Sequence, residues 1–108
     1  MSNRGSSRRR EALKRQLMRV ESECWLCGYP LDNDAPPFTD FATEVDEEVP
    51  ASLGGDVYGV RTPCHLVHRC CNNEKSGVVV KQYSLTEWME RRLRAADDIA
   101  AEPSGFFS

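Results

Sequence analysis

Val67-His68-Arg69-Cys70-Cys71-Asn72-Asn73-Glu74-Lys75 is the stretch on which the chain is organised. A histidine and a cysteine stand three positions apart, and Asn72 and Lys75 follow on. In a helix each residue turns about 100° from the last, so His68, Cys71, Asn72 and Lys75 share one face. Cys71 lies at one edge of that face and Asn72 at the other, while Cys70 points away. One short helix then holds a metal on one flank and presents a polar edge on the other.

Upstream, Cys24-Trp25-Leu26-Cys27-Gly28 is a knuckle. Its turn aims two sulfurs at one point, and the glycine permits the tight backbone. With His68 and Cys71 the pair makes four ligands of the kind tetrahedral zinc prefers. The rival is a thioredoxin-type redox pair, but no βαβ pattern surrounds it. A zinc held by four protein ligands has no open position and serves the fold, not the chemistry. Five cysteines, an odd count, also favour metal ligands over disulfides. Cys64 and Cys70 read as buried thiols. Cys64 lacks the two-residue spacing to Cys71 that would make it a ligand in place of His68.

Between these pieces, Phe41 to Val45 alternates as a short strand and delivers Asp46-Glu47-Glu48 just before Pro50. Three adjacent carboxylates repel one another unless a cation or solvent relieves them. They read either as part of a cation site or as an exposed acidic turn. Ser52 to Thr62, with Gly54-Gly55-Asp56 and Gly59, is a loop. Cys64 to Val67 is a second short strand entering the helix, which ends at Gly77. His65 on that strand is either a packed histidine or a further catalytic or metal group.

The flanks are helical. Leu13, Leu17 and Val20 form an apolar stripe from Arg8 to about Ser22, behind a polar, disordered segment 1–7. Val78-Val79-Val80 is a possible third strand. Ser84-Leu85-Thr86-Glu87 is a capping-box pattern, and Leu85, Trp88, Met89, Leu93, Ala96 and Ile99 repeat at helical spacing to about Ala100. The organisation expected is a basic arm and helix over 1–22, one domain over 23–101 and a tail over 102–108.

The chain has 108 residues, which suits one small domain that a structural metal would help to stabilise. Its net charge is −3. Residues 1–20 hold seven Arg and Lys against Glu11, a net +6, so the remainder carries −9. A cationic arm on an acidic body suits phosphate contact by the arm and cation binding by the body; a solvated tail and surface is the plainer reading. No window approaches the roughly 18 apolar residues of a membrane span, and no signal peptide is evident, so a cytoplasmic location is expected.

Knuckle, strand with acidic cluster, glycine-rich loop, short strand and ligand-bearing helix, in this order, resemble the HNH endonuclease family of the small zinc-stabilised phage and prophage type. The resemblance covers about Cys24 to Lys75. It rests on Val45-Asp46-Glu47-Glu48-Val49-Pro50, Gly54-Gly55-Asp56 and His68-Arg69-Cys70-Cys71-Asn72, in the variant with Asp-Glu in place of Asp-His. It implies an α+β fold with a ββα-metal motif and a zinc knuckle, flanked by N- and C-terminal helices. It implies a metal-dependent DNA endonuclease of a bacterial host cell, in phage genome processing alongside a terminase.

Carried over, Cys24, Cys27, His68 and Cys71 hold structural Zn²⁺, and Asp46 and Asn72 hold a catalytic Mg²⁺ or Mn²⁺. Glu47 stands where the family has its water-activating histidine, as base or as a further metal ligand. The family's loop-bracing asparagine falls near Pro63, which has no side-chain hydrogen bond to give. Arg69 and Lys75, with Arg8, Arg9 and Arg10 of the arm, are candidates for DNA phosphate contact. The departures at Glu47 and Pro63 motivate a second expectation, a zinc-knuckle DNA-binding or packaging-accessory module without catalysis. A third is a zinc module for protein contacts.

Overall fold

The computed structural model describes residues 2–107, with side chains described for 8–96. In chain order it contains helix α1 (Ser2–Met18), strand β1 (Thr43–Glu47), a 3-10 turn (Ala51–Leu53), strand β2 (Cys64–His68), helix α2 (Arg69–Lys75) and helix α3 (Thr86–Phe107). This is a small α+β architecture with one two-stranded antiparallel sheet among the described residues.

β1 and β2 pair with Thr43 opposite His68, Val45 opposite Leu66, Asp46 opposite His65 and Glu47 opposite Cys64. The strand therefore runs through Asp46 and Glu47 instead of ending before them. The amide of Glu48 adds one more rung by donating to the carbonyl of Pro63 at 3.0 Å. The sixteen-residue connection between the strands, residues 48–63, is drawn tight near its start. Gly55 donates to the Pro50 carbonyl, and a Cβ there would meet the Val49 carbonyl oxygen at 1.6 Å, so only glycine fits.

The knuckle is clamped from both sides. Trp25 N–H donates to Leu66 O of β2 at 3.0 Å, and Leu26 O accepts from Leu85 N–H ahead of α3 at 2.8 Å. Gly28 closes its turn with φ of +82°, a left-handed conformation that costs glycine little. The core forms around this clamp: Leu26, Val67, Met89 and the cysteines 24, 27, 70 and 71 are buried, with Trp25, Phe41, Leu85, Trp88 and Leu93 packed on them.

Several expected boundaries shift. α1 takes in residues 2–7, which no proline interrupts, and ends at Met18. Val20, past that end, is 79% exposed instead of completing the apolar stripe. Val78 and Val79 form no strand: both are exposed, while Val80 packs on the core. α3 begins at Thr86, whose hydroxyl donates to the carbonyls of Cys27 and Tyr83. It continues through Pro103 to Phe107, past the expected stop near Ala100; the proline forgoes one helical bond there.

Candidate metal centre and the seam between β1 and α2

Cys24, Cys27, His68 and Cys71 converge, all four buried, with ligand atoms within 4.8 Å of one another. His68 caps α2, in extended conformation, so its ring is set by the end of β2, while Cys71 comes from the first turn of the helix. Its Nδ1 lies 3.4 Å from Cys27 Sγ and 3.8 Å from Cys71 Sγ. A tetrahedral zinc with bonds of about 2.0–2.3 Å spaces its ligand atoms roughly 3.5–3.8 Å apart, so the donors fit this metal in kind, and the two distances from His68 fit it in spacing.

The electrostatics of the cluster call for a cation. Contacts with the Cys27 and Cys71 sulfurs hold the Cys24 thiol far below its ordinary range. Contacts with Cys24 and Cys27 push Cys71 far above it. Burial opposes a charged His68, but hydrogen bonds with Cys24 and Cys27 override it and raise the imidazole to about 10. One thiolate is favoured and the next is opposed by the first; a divalent ion removes that opposition for all of them. Cys64 and Cys70 stay outside this cluster as buried thiols, and burial raises both.

The three carboxylates after Val45 part company. Asp46 accepts from Lys75 Nζ at 2.6 Å. Glu47 pairs with Arg10 at 3.2 Å. Glu48 lies 3.6 Å from His65 Nε2. Asn72 donates to Glu44 Oε1 at 3.2 Å. Asp46 and Asn72 thus lie along one seam, where β1 and the polar edge of α2 pack together. Their oxygens suit a hard cation such as Mg²⁺ or Mn²⁺. The Asp46 oxygen, however, carries an ammonium group.

The basic residues are used unevenly. Lys75 is buried and turned onto β1, away from any phosphate at the surface. Arg69 donates to Phe38 O at 2.9 Å and pairs with Glu44. Arg10 donates to Val45 O at 3.1 Å and to Val57 O, tying α1 to β1 and the loop. Arg8 and Arg9 are exposed, and Arg9 lies over the Tyr58 ring.

Two residues act in roles that the sequence pattern did not assign to them. Asp56 braces the loop between the strands. Its carboxylate accepts from the N–H groups of Tyr58, Val60 and Arg61, and its own N–H donates to Thr62 Oγ1. Its place in a Gly-Gly-Asp turn was the available signal. Glu21 accepts from Leu66 N–H at 2.7 Å and lies 3.0 Å from His65 Nδ1, while the His65 ring stacks on Trp25. That contact spans more than forty residues and leaves no local signature.

Comparison of the chain with protein-family models, curated proteins and solved structures gives no match. None of the helices is long and apolar enough to cross a membrane among the described residues.

Proposed function

We propose that this chain is a zinc-stabilised, divalent-metal-dependent DNA endonuclease of the HNH type, hydrolysing phosphodiester bonds in phage genome processing. The observation that supports the reading is the seam: Asp46 of β1 meets Lys75 of α2 and Asn72 of α2 meets Glu44 of β1, so both lie on one strand–helix packing line, and α2 also carries Cys71 of the Cys3His cluster. Asp46 and Asn72 would hold Mg²⁺ or Mn²⁺, which supplies charge stabilisation for the scissile phosphate and the leaving oxygen. Glu47 orients or deprotonates the attacking water. The exposed Arg8 and Arg9 approach the DNA backbone.

A second reading has its own support. Asp46 and Glu47 are already satisfied, by Lys75 and Arg10, as they would be in a zinc-dependent DNA-binding module without catalysis. Purified zinc-loaded protein, incubated with supercoiled plasmid in Mg²⁺, Mn²⁺ or EDTA, decides between them. Metal-dependent nicking that Asp46→Ala abolishes, with zinc content intact, is the expected result. DNA binding without nicking in either metal assigns the chain to the second reading.

A further inference from the structure

Lys75 is a buried charge for which the proposed reaction has no role. Its side chain is 2% exposed, at the last turn of α2. Nζ lies 2.6 Å from Asp46 Oδ2 and 2.7 Å from the carbonyl oxygen of Glu47. An ammonium carries three donors, and β1 takes two of them. Burying such a group is costly unless it is paired and hydrogen-bonded, and here it is both. One turn earlier in α2, Asn72 meets Glu44, two residues before Asp46 on the same strand. Lys75 and Asn72 thus engage alternate carboxylates of β1; Glu44 also pairs with Arg69, while the cation on Asp46 is the lysine's own.

We infer that Lys75 is the resident counter-ion of Asp46, and that a divalent cation binds at Asp46 only by exchange with it. The inference rests on the nuclease reading for the incoming ion, Mg²⁺ or Mn²⁺. Lys75 sits on Oδ2, and a second cation on either oxygen of the same carboxylate is repelled by it, most strongly where water is scarce. Binding the ion therefore means releasing the lysine. Lys75 holds the strand–helix seam closed and Asp46 in place until the ion arrives. It is a positioning residue that sets the metal affinity of the site.

The test uses the full zinc-loaded chain and Mn²⁺ as the probe. Calorimetric titration compares the unaltered protein with Lys75→Met and Asp46→Asn. Lys75→Met is expected to bind Mn²⁺ at least about tenfold more tightly, the size of one charge-assisted contact no longer competing. Asp46→Asn is expected to lose the site. The unaltered protein supplies a second readout that needs no variant. An amine-reactive acetylating ester, followed by mass spectrometry, should spare Lys75 without Mn²⁺ and modify it with Mn²⁺, while Lys14 and Lys81 react alike in both. Should Lys75→Met fail to fold, this labelling decides. Asp46-dependent binding of equal strength in the unaltered protein and Lys75→Met, with Lys75 still protected, overturns the exchange and leaves the nuclease reading standing. Absence of Mn²⁺ binding in every folded, zinc-loaded form overturns both.

Discussion

His68 donates from Nε2 to the carbonyl oxygen of Pro30 at 2.9 Å, and this bond decides which nitrogen faces the cysteines. A carbonyl only accepts, so Nε2 keeps its proton and Nδ1 is the nitrogen that faces the cluster, to bind a metal once its own proton leaves. Pro30, two residues past the knuckle glycine, thereby orients a ligand that β2 and α2 place, as outer partners of metal-bound histidines do. Structural zinc contributes about 10–16 kcal/mol of binding free energy, against roughly 5–15 kcal/mol for the whole stability of a domain. Cys71→Ser is expected to lose stoichiometric zinc and its cooperative melt, and a strong chelator should do the same to the unaltered protein. Metal analysis beside circular dichroism checks this. A zinc-free Cys71→Ser melting like the parent would mean that the cluster is ordinary core.

Zinc affinity should rise with pH. The metal takes Cys71 as thiolate and His68 as neutral imidazole. The cluster pushes the Cys71 thiol up and raises His68 to about 10, so both hold protons at neutral pH that zinc must displace. Binding that releases protons strengthens as protons become scarcer. Competition against a chromophoric chelator across roughly pH 6–8 measures the slope. A flat profile would show that all the ligands are deprotonated before the metal arrives.

Asp56 makes the opposite kind of prediction, one of constancy. Hydrogen bonds from Tyr58, Arg61 and Val60 lower its carboxyl below the ordinary 3.8. A depressed carboxyl contributes stability that is fully present above the unfolded value and is lost as pH falls through the folded one. The difference in melting temperature between the parent and Asp56→Ala should therefore stay constant from neutral pH down to about pH 5. A gap that closes between neutrality and that point would mean the loop bonds do not hold the charged form. Hydrogen exchange at the Val60 and Arg61 amides should quicken in the variant.

How far the sequence could be read follows from the range of each contact. The knuckle, the His68–Cys71 pair and α2 are local patterns, with residues two to four apart and a glycine or turn fixing their geometry. They were therefore visible, as was the alternation of β1. The partners of the charged residues were not. Arg10 and Glu47 are thirty-seven positions apart, and Lys75 and Asp46 twenty-nine, so no periodicity links them. Lys75 carries the same helical phase as a phosphate-contacting lysine would. Only the packing of α2 on β1 turns it inward. Val78-Val79-Val80 has strand composition but pairs with neither strand, and composition alone does not supply a partner.

The Lys75–Asp46 pair should be strongly coupled. Both side chains are shielded, at 2% and 13% exposure, so removing one partner leaves the other's charge without compensation. Asp46→Asn is expected to destabilise by about 3–5 kcal/mol, the range for breaking a buried pair. Asp46→Asn with Lys75→Met should then cost less than the two single changes added together. Denaturant unfolding of the four zinc-loaded proteins measures the coupling. Additive losses would place the two residues in independent environments. This also sets a control for the plasmid assay, since an inactive Asp46 variant counts only if it is folded.

The arginines of the arm divide by what they already touch. Arg10 is held by Glu47 and by the carbonyls of Val45 and Val57, so Arg10→Ala should cost about 1–3 kcal/mol of stability by undocking α1 from β1. Arg8 and Arg9 are exposed, and the contact of Arg9 with the Tyr58 ring leaves its guanidinium charge unneutralised. Each phosphate neutralised by such a side chain contributes about 0.9 to the slope of log affinity against log salt on duplex DNA. Arg8→Ala and Arg9→Ala should each reduce that slope by about this amount and leave the melting temperature near the parent's. Fluorescence anisotropy on a labelled duplex over a salt series gives the slope directly. If Arg8→Ala and Arg9→Ala leave it unchanged, the cationic arm is a solvated helix face. DNA contact would then have to come from another surface of the acidic body, where long-range repulsion opposes it.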